Sequence, residues 1–293
     1  MEGTRKLDLA LEAREWAAGT GRLPGVSLRE ERLHGLALTR VRVWDRAGAE
    51  RLGKPEGTYL TLTLPRLPGG REEVLAAARA VADLIRETAP SRGPVLLAGL
   101  GNRRVTPDAL GPRTAEGMLA TRHLGEVLPG LRPVAALAPG VTGTTGLETG
   151  ELVAAAAAAL APACVIAVDA LAARRQERVC RTIQIADTGI VPGSGVGNAR
   201  MALDRETLGV PVIAVGAPTV VDAATLCMDL LEEAGGDGGG FDPGLFRREG
   251  AEWFLTPRSV DREVEILSRV LSLGISAGLQ PGLTLEETEA LLE

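Results

Sequence analysis

Apolar strands alternating with helical patterns fill the middle of this chain, and that alternation restricts the fold more than any other feature. Residues 94–100 form a continuous apolar run, followed by a glycine turn and a helical pattern over 107–128. A short strand pattern covers 133–137, a Gly/Thr-rich loop 140–150, and a helix 152–160. Further strand patterns cover 164–168, 182–186 and 211–215, and a helix covers 220–233. Apolar runs of this length suit strands buried on both faces. Strand–helix alternation predicts an α/β fold with a mostly parallel twisted sheet and helices on both faces.

The flanks add to this plan without breaking it. Residues 1–30 are polar and mixed, an arm or a short helix. Segments 34–44 and 59–64 alternate apolar and polar residues, which predicts an antiparallel N-terminal edge. Helical patterns follow at 72–88, 261–273 and 283–292, and 235–243 reads as a glycine-rich surface loop. There is no internal repeat, and the 293 residues read as a single domain. Aromatic residues are only 2%, so the core must be built from Ala, Val, Leu and Ile.

Composition also excludes some functions. A net charge of −6 makes the chain a poor non-specific binder of nucleic acid. The three cysteines, Cys164, Cys180 and Cys227, are odd in number and widely spaced, so neither a disulfide framework nor a zinc knuckle is expected. The N-terminus lacks the apolar stretch of a signal peptide. No apolar run reaches membrane-spanning length, since 152–163 is too short. A soluble, cytoplasmic protein is the expectation. With only His34 and His123 available, a Ser-His-Asp triad or a histidine-based zinc site has little to work with.

In open α/β sheets, ligands sit beyond the carboxyl ends of the strands. Asn102, Arg103, Arg104 and Asp108 follow the run at 94–100, and Asp169 follows 164–168. Asp187 and Ser194 follow 182–186, and Asp222 comes after 211–215. Several acids should therefore converge on one edge. Thr106 fits a helix N-cap and Pro107 the first helical position, which places Asp108 in a first turn where the macrodipole favours its ionised form. Asp169 ends an apolar strand, where burial disfavours the charge. If the two meet they share a proton, giving the acid and the base that water needs to attack an amide. Taken singly, Asp108 is equally an ordinary helix-start acid, and Asp169 an acid bonded to loop amides. The glycines at 99–101 and 193–197 complete no phosphate-binding pattern.

These residues carry a resemblance. Gly99-Leu100-Gly101-Asn102 with Val105-Thr106-Pro107-Asp108-Ala109-Leu110-Gly111-Pro112 resembles the germination protease family of spore-forming bacteria. So do Ala138-Pro139-Gly140-Val141 with Thr145-Gly146-Leu147-Glu148-Thr149, Asp169-Ala170-Leu171-Ala172, and the stretch from Thr182 to Asn198. Residues 207–214 and 218–223 complete six blocks in one order. The resemblance implies a fold similar to hydrogenase-maturation peptidases and an endopeptidase that digests small acid-soluble spore proteins. It implies two catalytic aspartates, here Asp108 and Asp169, and no metal or other cofactor. It further implies a homotetramer, made as an inactive precursor in the forespore, with no direct nucleic-acid or membrane partner. Val191 stands where relatives carry a histidine.

The family cuts after an acid and before an apolar residue, in a context like acid–apolar–Ala–X–Glu. Asp8-Leu9-Ala10-Leu11-Glu12 reproduces it, so self-processing between Asp8 and Leu9 is expected to release residues 1–8. An acid before the scissile bond calls for a cation, and Arg103, Arg104, Arg174 and Arg175 flank the two aspartates. Asn102, Glu148, Asp187, Ser194 and Asp222 are the remaining candidates for support or substrate binding. Two rival functions stay open on the sequence: a metal-dependent maturation-type peptidase, and a spore-protein binder without activity.

Overall fold

The computed structural model describes residues 7–18, 21–124, 127–128, 130–193, 200–234 and 253–293. Helix α1 (Ala10–Ala18) precedes strands β1 (Val26–Leu33) and β2 (Leu36–Val43). His34 and Gly35 join these strands at φ 49° and 81°. Two successive residues at positive φ match the twist of a tight hairpin. His34 is therefore a turn residue and not the first residue of the strand expected at 34–44. Helix α2 (Arg46–Leu52) was not foreseen. Asp45 caps it by accepting from the Gly48 N–H, and Gly53 ends it in the left-handed conformation.

Strand β3 (Gly57–Thr63), helix α3 (Arg71–Thr88) and strand β4 (Val95–Gly99) follow as expected. The single helix anticipated over 107–128 is three pieces. Thr106–Asp108 is a 3-10 turn, α4 spans Leu110–Glu116, and Arg122–Leu124 is a second 3-10 turn. The Thr106 hydroxyl donates to Asp261 Oδ1 and is no N-cap; Val105 holds that place. Strand β5 (Val134–Leu137), the one-turn α5 (Thr142–Thr145) and α6 (Thr149–Leu160) lead to β6 (Cys164–Ala173).

Strand β6 is twice the expected length, so Asp169 lies within it and not after it. Strands β7 (Thr182–Ala186) and β8 (Val212–Asp222), with α7 (Arg205–Leu208) between them, complete the central layer. Helix α8 (Ala223–Glu233), strand β9 (Phe254–Leu255), and helices α9 (Val260–Leu279) and α10 (Leu285–Leu292) end the chain. The glycine-rich loop at 235–243 lies outside the described residues.

The sheet order is β1-β2-β3-β7-β8-β6-β4-β5, with β9 pairing β8. Strands β5, β4, β6 and β8 run parallel. From β8 through β7, β3, β2 and β1 every pairing is antiparallel. The antiparallel edge thus reaches inward as far as β7.

Strand periodicity sorts the side chains into two layers. Val95, Leu97, Ile166, Val168, Ile183, Ile185, Ile213 and Val215 face α3 and α9. Leu96, Ala98, Val165 and Ala167 face α6, and Val41, Val43 and Tyr59 face α1 and α2. Each fully buried Leu, Ile or Val contributes about 1.5–3 kcal/mol, so an aliphatic core suffices without aromatics. Among the described residues no helix is long and apolar enough to cross a membrane.

Candidate active site

Two glycines set the distance between α4 and the sheet. A Cβ on Gly99 would stand 2.1 Å from Gly111 O, and one on Gly111 would stand 2.4 Å from Val168 O. The start of α4 therefore lies directly on the β4–β6 ladder, where Leu100 N–H donates to Val168 O at 2.7 Å. This contact carries Asp108 to the residue beside Val168, which is Asp169. Gly101, at φ +111°, turns the chain tightly enough that a Cβ there would stand 2.1 Å from Asp108 O. Only glycine adopts that backbone cheaply.

Asp108 is half-buried, and its Oδ2 accepts from the Asn102 N–H at 2.7 Å. Thr219 Oγ1 donates to Pro107 O at 2.7 Å and fixes the same turn to β8. From its sequence position Asp108 is expected to be held ionised by a helix terminus. Instead its pKa is raised, by burial, against the lowering effect of the Asn102 N–H and of the Arg200 charge. Asp108 ends a 3-10 turn and α4 begins two residues later, so it does not lie in the first turn of an α-helix as expected, and burial sets the direction.

Asp169 is buried, with its Oδ1 accepting only its neighbour Ala170 N–H at 2.9 Å among the described contacts. Its pKa is pushed well above the ordinary carboxylate range, first by burial, then by the nearby charges of Asp108 and Asp8. Both aspartates are raised, and Asp169 has the stronger cause and the weaker hydrogen bonding. The two groups therefore favour the protonated form unequally, Asp169 more strongly than Asp108.

The register places Asp169 opposite Gly216 on β8, Gly216 opposite Gln184 on β7, and Gln184 opposite Thr61 on β3. These residues form a buried polar row on the face covered by α1. The residues just before α1 lie against this row. The half-buried Asp8 accepts from the Ala172 N–H through Oδ2 at 2.9 Å, beside an irregularity in the β6–β8 pairing at Leu171/Ala172. Its carbonyl oxygen accepts from Lys54 Nζ at 3.0 Å and from Gln184 Nε2 at 3.3 Å. Leu9 is fully buried, and the Ala10 N–H donates to Gln184 Oε1 at 2.7 Å. Glu12, also buried, accepts the N–H groups of Arg174 and Arg175 at 2.8 and 3.1 Å. Burial pushes the Glu12 pKa up against those two bonds.

The expected convergence of acids on one edge is limited to Asp108 and Asp169, joined by Asp8. Asp187 lies elsewhere because β7 runs antiparallel to β8: it sits beyond Ala186, which pairs Ala214, and accepts the Thr58 N–H at 2.7 Å. Asp222 ends β8 and accepts from the Thr225 N–H and hydroxyl, a helix-start role. Glu148 sits at the start of α6, with Thr142 Oγ1 donating to it and Arg200 Nη1 3.6 Å away. Ser194 lies outside the described residues.

The guanidinium groups of three of the four candidate arginines face acids. Arg103 pairs Glu116 at 2.9 Å and Arg174 pairs Asp229 at 2.7 Å, while Arg175 is 3.5 Å from Glu177. Arg104 is exposed, its N–H bonded to Asn102 Oδ1. Among the described residues, no three His, Cys, Asp or Glu side chains gather in a metal-binding arrangement. Sequence reasoning missed Lys54, Gln184 and Arg200. Of these only Gln184 carried a signal, as a long polar residue between two isoleucines at the centre of a strand.

Comparison with known proteins identifies the family. The family model described as germination protease matches residues 5–233. The germination protease of Caldanaerobacter subterraneus subsp. tengcongensis is 41% identical, over 98% of this chain and 98% of its own. That of Bacillus subtilis is 45% identical, over 78% of this chain and 66% of its own. A [NiFe] hydrogenase maturation protease, HycI from Thermococcus kodakarensis, overlays 66% of this chain and 98% of its own at TM-score 0.37 and 17% identity. With a matched family model over most of its length and relatives aligned end to end, the chain belongs to the germination protease family and is a peptidase.

Proposed function

We propose that this peptidase is an endopeptidase that digests small acid-soluble spore proteins during germination, cutting after an acidic residue by means of Asp108 and Asp169. The observation that carries the reading is the position of the chain's own Asp8–Leu9 bond. It lies in the polar row beside Asp169, with an acid, a buried leucine, an alanine and a second acid each held by neighbouring groups.

The chemistry follows from the proton inventory. Asp108 takes a proton from water as the water oxygen bonds to the carbonyl carbon. The carbonyl π electrons move to oxygen, giving a tetrahedral intermediate. As the C=O bond re-forms, the C–N bond breaks and Asp169 gives its proton to the leaving nitrogen. The pair ends with one proton, now on Asp108, which returns to Asp169 before the next turnover. No metal ion or other cofactor enters this scheme.

The same bond is the proposed site of self-processing, releasing residues 1–8 from a precursor. The segment then acts first as an occupant of its own substrate groove. Membership in the family supports a homotetrameric active form in the cytoplasm of the forespore and spore core. The test is digestion of a small acid-soluble spore protein by wild type, Asp108→Asn and Asp169→Asn, with and without chelator. Cleavage after acids by wild type alone, indifferent to chelator, is the expected result. Cleavage lost on chelation would move the chain to the metallopeptidases. No cleavage, even from protein beginning at Leu9, would leave a binding protein.

A further inference from the structure

We propose that Lys54 and Gln184 form a carbonyl clamp in the catalytic site, donating two hydrogen bonds to the oxygen of the scissile peptide and holding the charge that develops there during attack. The inference rests on the reading of Asp8–Leu9 as a bond to be cut, and it adds a catalytic group that neither aspartate supplies.

Three observations meet at that oxygen. Lys54 Nζ and Gln184 Nε2 reach it at 3.0 and 3.3 Å from different elements, one from the loop after α2 and one from the centre of β7. Gln184 also accepts from the Ala10 N–H at 2.7 Å, so one side-chain amide brackets Leu9 and fixes which carbonyl faces the lysine. The third is Gly216, which separates Gln184 from Asp169 in the register and has no side chain of its own, so that Leu171 packs directly over it, its Cγ 2.7 Å from where a Cβ would stand. Donors fixed in advance around a developing oxyanion, in a place from which water is excluded, supply a large share of catalysis in acyl transfer. Leu9, fully buried, is what excludes the water here.

The clamp also gives the acids on the two sides of the Asp8–Leu9 bond a role. Burial lowers the Lys54 pKa, and the two charges that raise it again are Asp8 and Glu12. Both belong to the bound segment. A substrate with acids at the same two places, just before the bond and four residues after it, opposes the effect of burial and favours the charged lysine. Lys54 transfers no proton in this scheme; it stays an ammonium group while the electron pair moves onto the carbonyl oxygen and back.

The test compares full-length wild type, Lys54→Met, Gln184→Met and Asp169→Asn, all checked for folding by thermal melt. The two readouts are loss of residues 1–8, followed by N-terminal sequencing, and kcat and KM on a synthetic peptide copying residues 4–14. The clamp predicts that Lys54→Met lowers kcat and the self-processing rate about 100-fold, with KM nearly unchanged. Gln184→Met should act in the same direction, and it carries the test should Lys54→Met fail to fold. Wild-type kcat in both variants, with Asp169→Asn inactive, would overturn the clamp and leave the two-aspartate reading standing. A rise in KM alone would also overturn it, because the contact would then serve binding only. A wild type that neither loses residues 1–8 nor cuts the peptide would overturn both.

Discussion

Replacing Gly111 with alanine tests how closely α4 must lie on the sheet for the two aspartates to work as a pair. A Cβ at Gly111 would stand 2.3 Å from Leu100 O, 2.4 Å from Val168 O and 2.5 Å from Leu100 N. All three are backbone atoms, so no side chain can swing aside. Restoring an ordinary contact requires the helix start to retreat by about 1 Å. Asp108 is three residues upstream in the same segment and moves with it. Overpacking of this kind costs about 1–3 kcal/mol, which lowers Tm by roughly 2–10 °C in a chain of this size. A displacement of about 1 Å at the reacting groups costs on the order of 100-fold in rate. The assay is kcat on an acid-containing peptide beside a thermal melt. Gly278→Ala is the matched control, since its Cβ would stand 2.9 Å from Ala82 O and Ile85 Cβ at the α3–α9 contact, away from the aspartates. Both variants should melt a few degrees lower, and only Gly111→Ala should lose activity. A Gly111→Ala protein with wild-type kcat would refute the idea that this glycine contact sets the pair.

Three further outcomes follow from the same geometry. Asp169 has a folded-state pKa above its unfolded value, so the folded protein holds a proton that the unfolded chain releases as pH rises, and stability falls upward through that window. Asp169→Asn removes this loss, so its Tm relative to wild type should rise as pH increases from about 4, the ordinary aspartate pKa, upward; a flat difference would show that Asp169 is ionised in the fold. Leu9→Ala removes a fully buried side chain and should weaken docking of the N-terminal segment by about 2–5 kcal/mol. Hydrogen exchange over residues 9–18 should quicken and self-processing slow, and unchanged exchange would mean that Leu9 is not the anchor. Burial pushes the Cys164 thiol up to about 11, and burial with Glu263 beside it raises Cys180 as well. Neither should be alkylated at pH 8 until the protein is denatured, as mass spectrometry after iodoacetamide would report; native labelling within minutes would contradict their burial.

The architecture was legible wherever burial wrote a period into the sequence. Strands β4, β6 and β8 announced themselves as apolar runs because both of their faces are covered, and β7 by its alternation of Thr182, Gln184 and Ala186 with two isoleucines. The extent of β6 and β8 was not legible, because polar and breaking residues such as Asp169, Gly216 and Pro218 lie inside them, where the site interrupts the core. Strand β1 was hidden by its composition, Val-Ser-Leu-Arg-Glu-Glu-Arg-Leu, which an edge strand facing solvent can carry. The aspartate pair could be anticipated from strand-end chemistry. The partners of Asp8 could not: Lys54 and Gln184 are 46 and 176 residues away in sequence, and no local pattern records contacts of that separation.

The most direct test of the two-aspartate account is a single turnover on an acid-containing peptide in H2¹⁸O, with wild type, Asp108→Asn and Asp169→Asn. Water activated by Asp108 puts one ¹⁸O atom into the new carboxyl group in the first turnover by wild type, and neither variant cuts. A first-turnover product without label would mean that an enzyme carboxylate, and not water, attacked the bond. Cleavage by either variant at the wild-type rate would remove that aspartate from the mechanism.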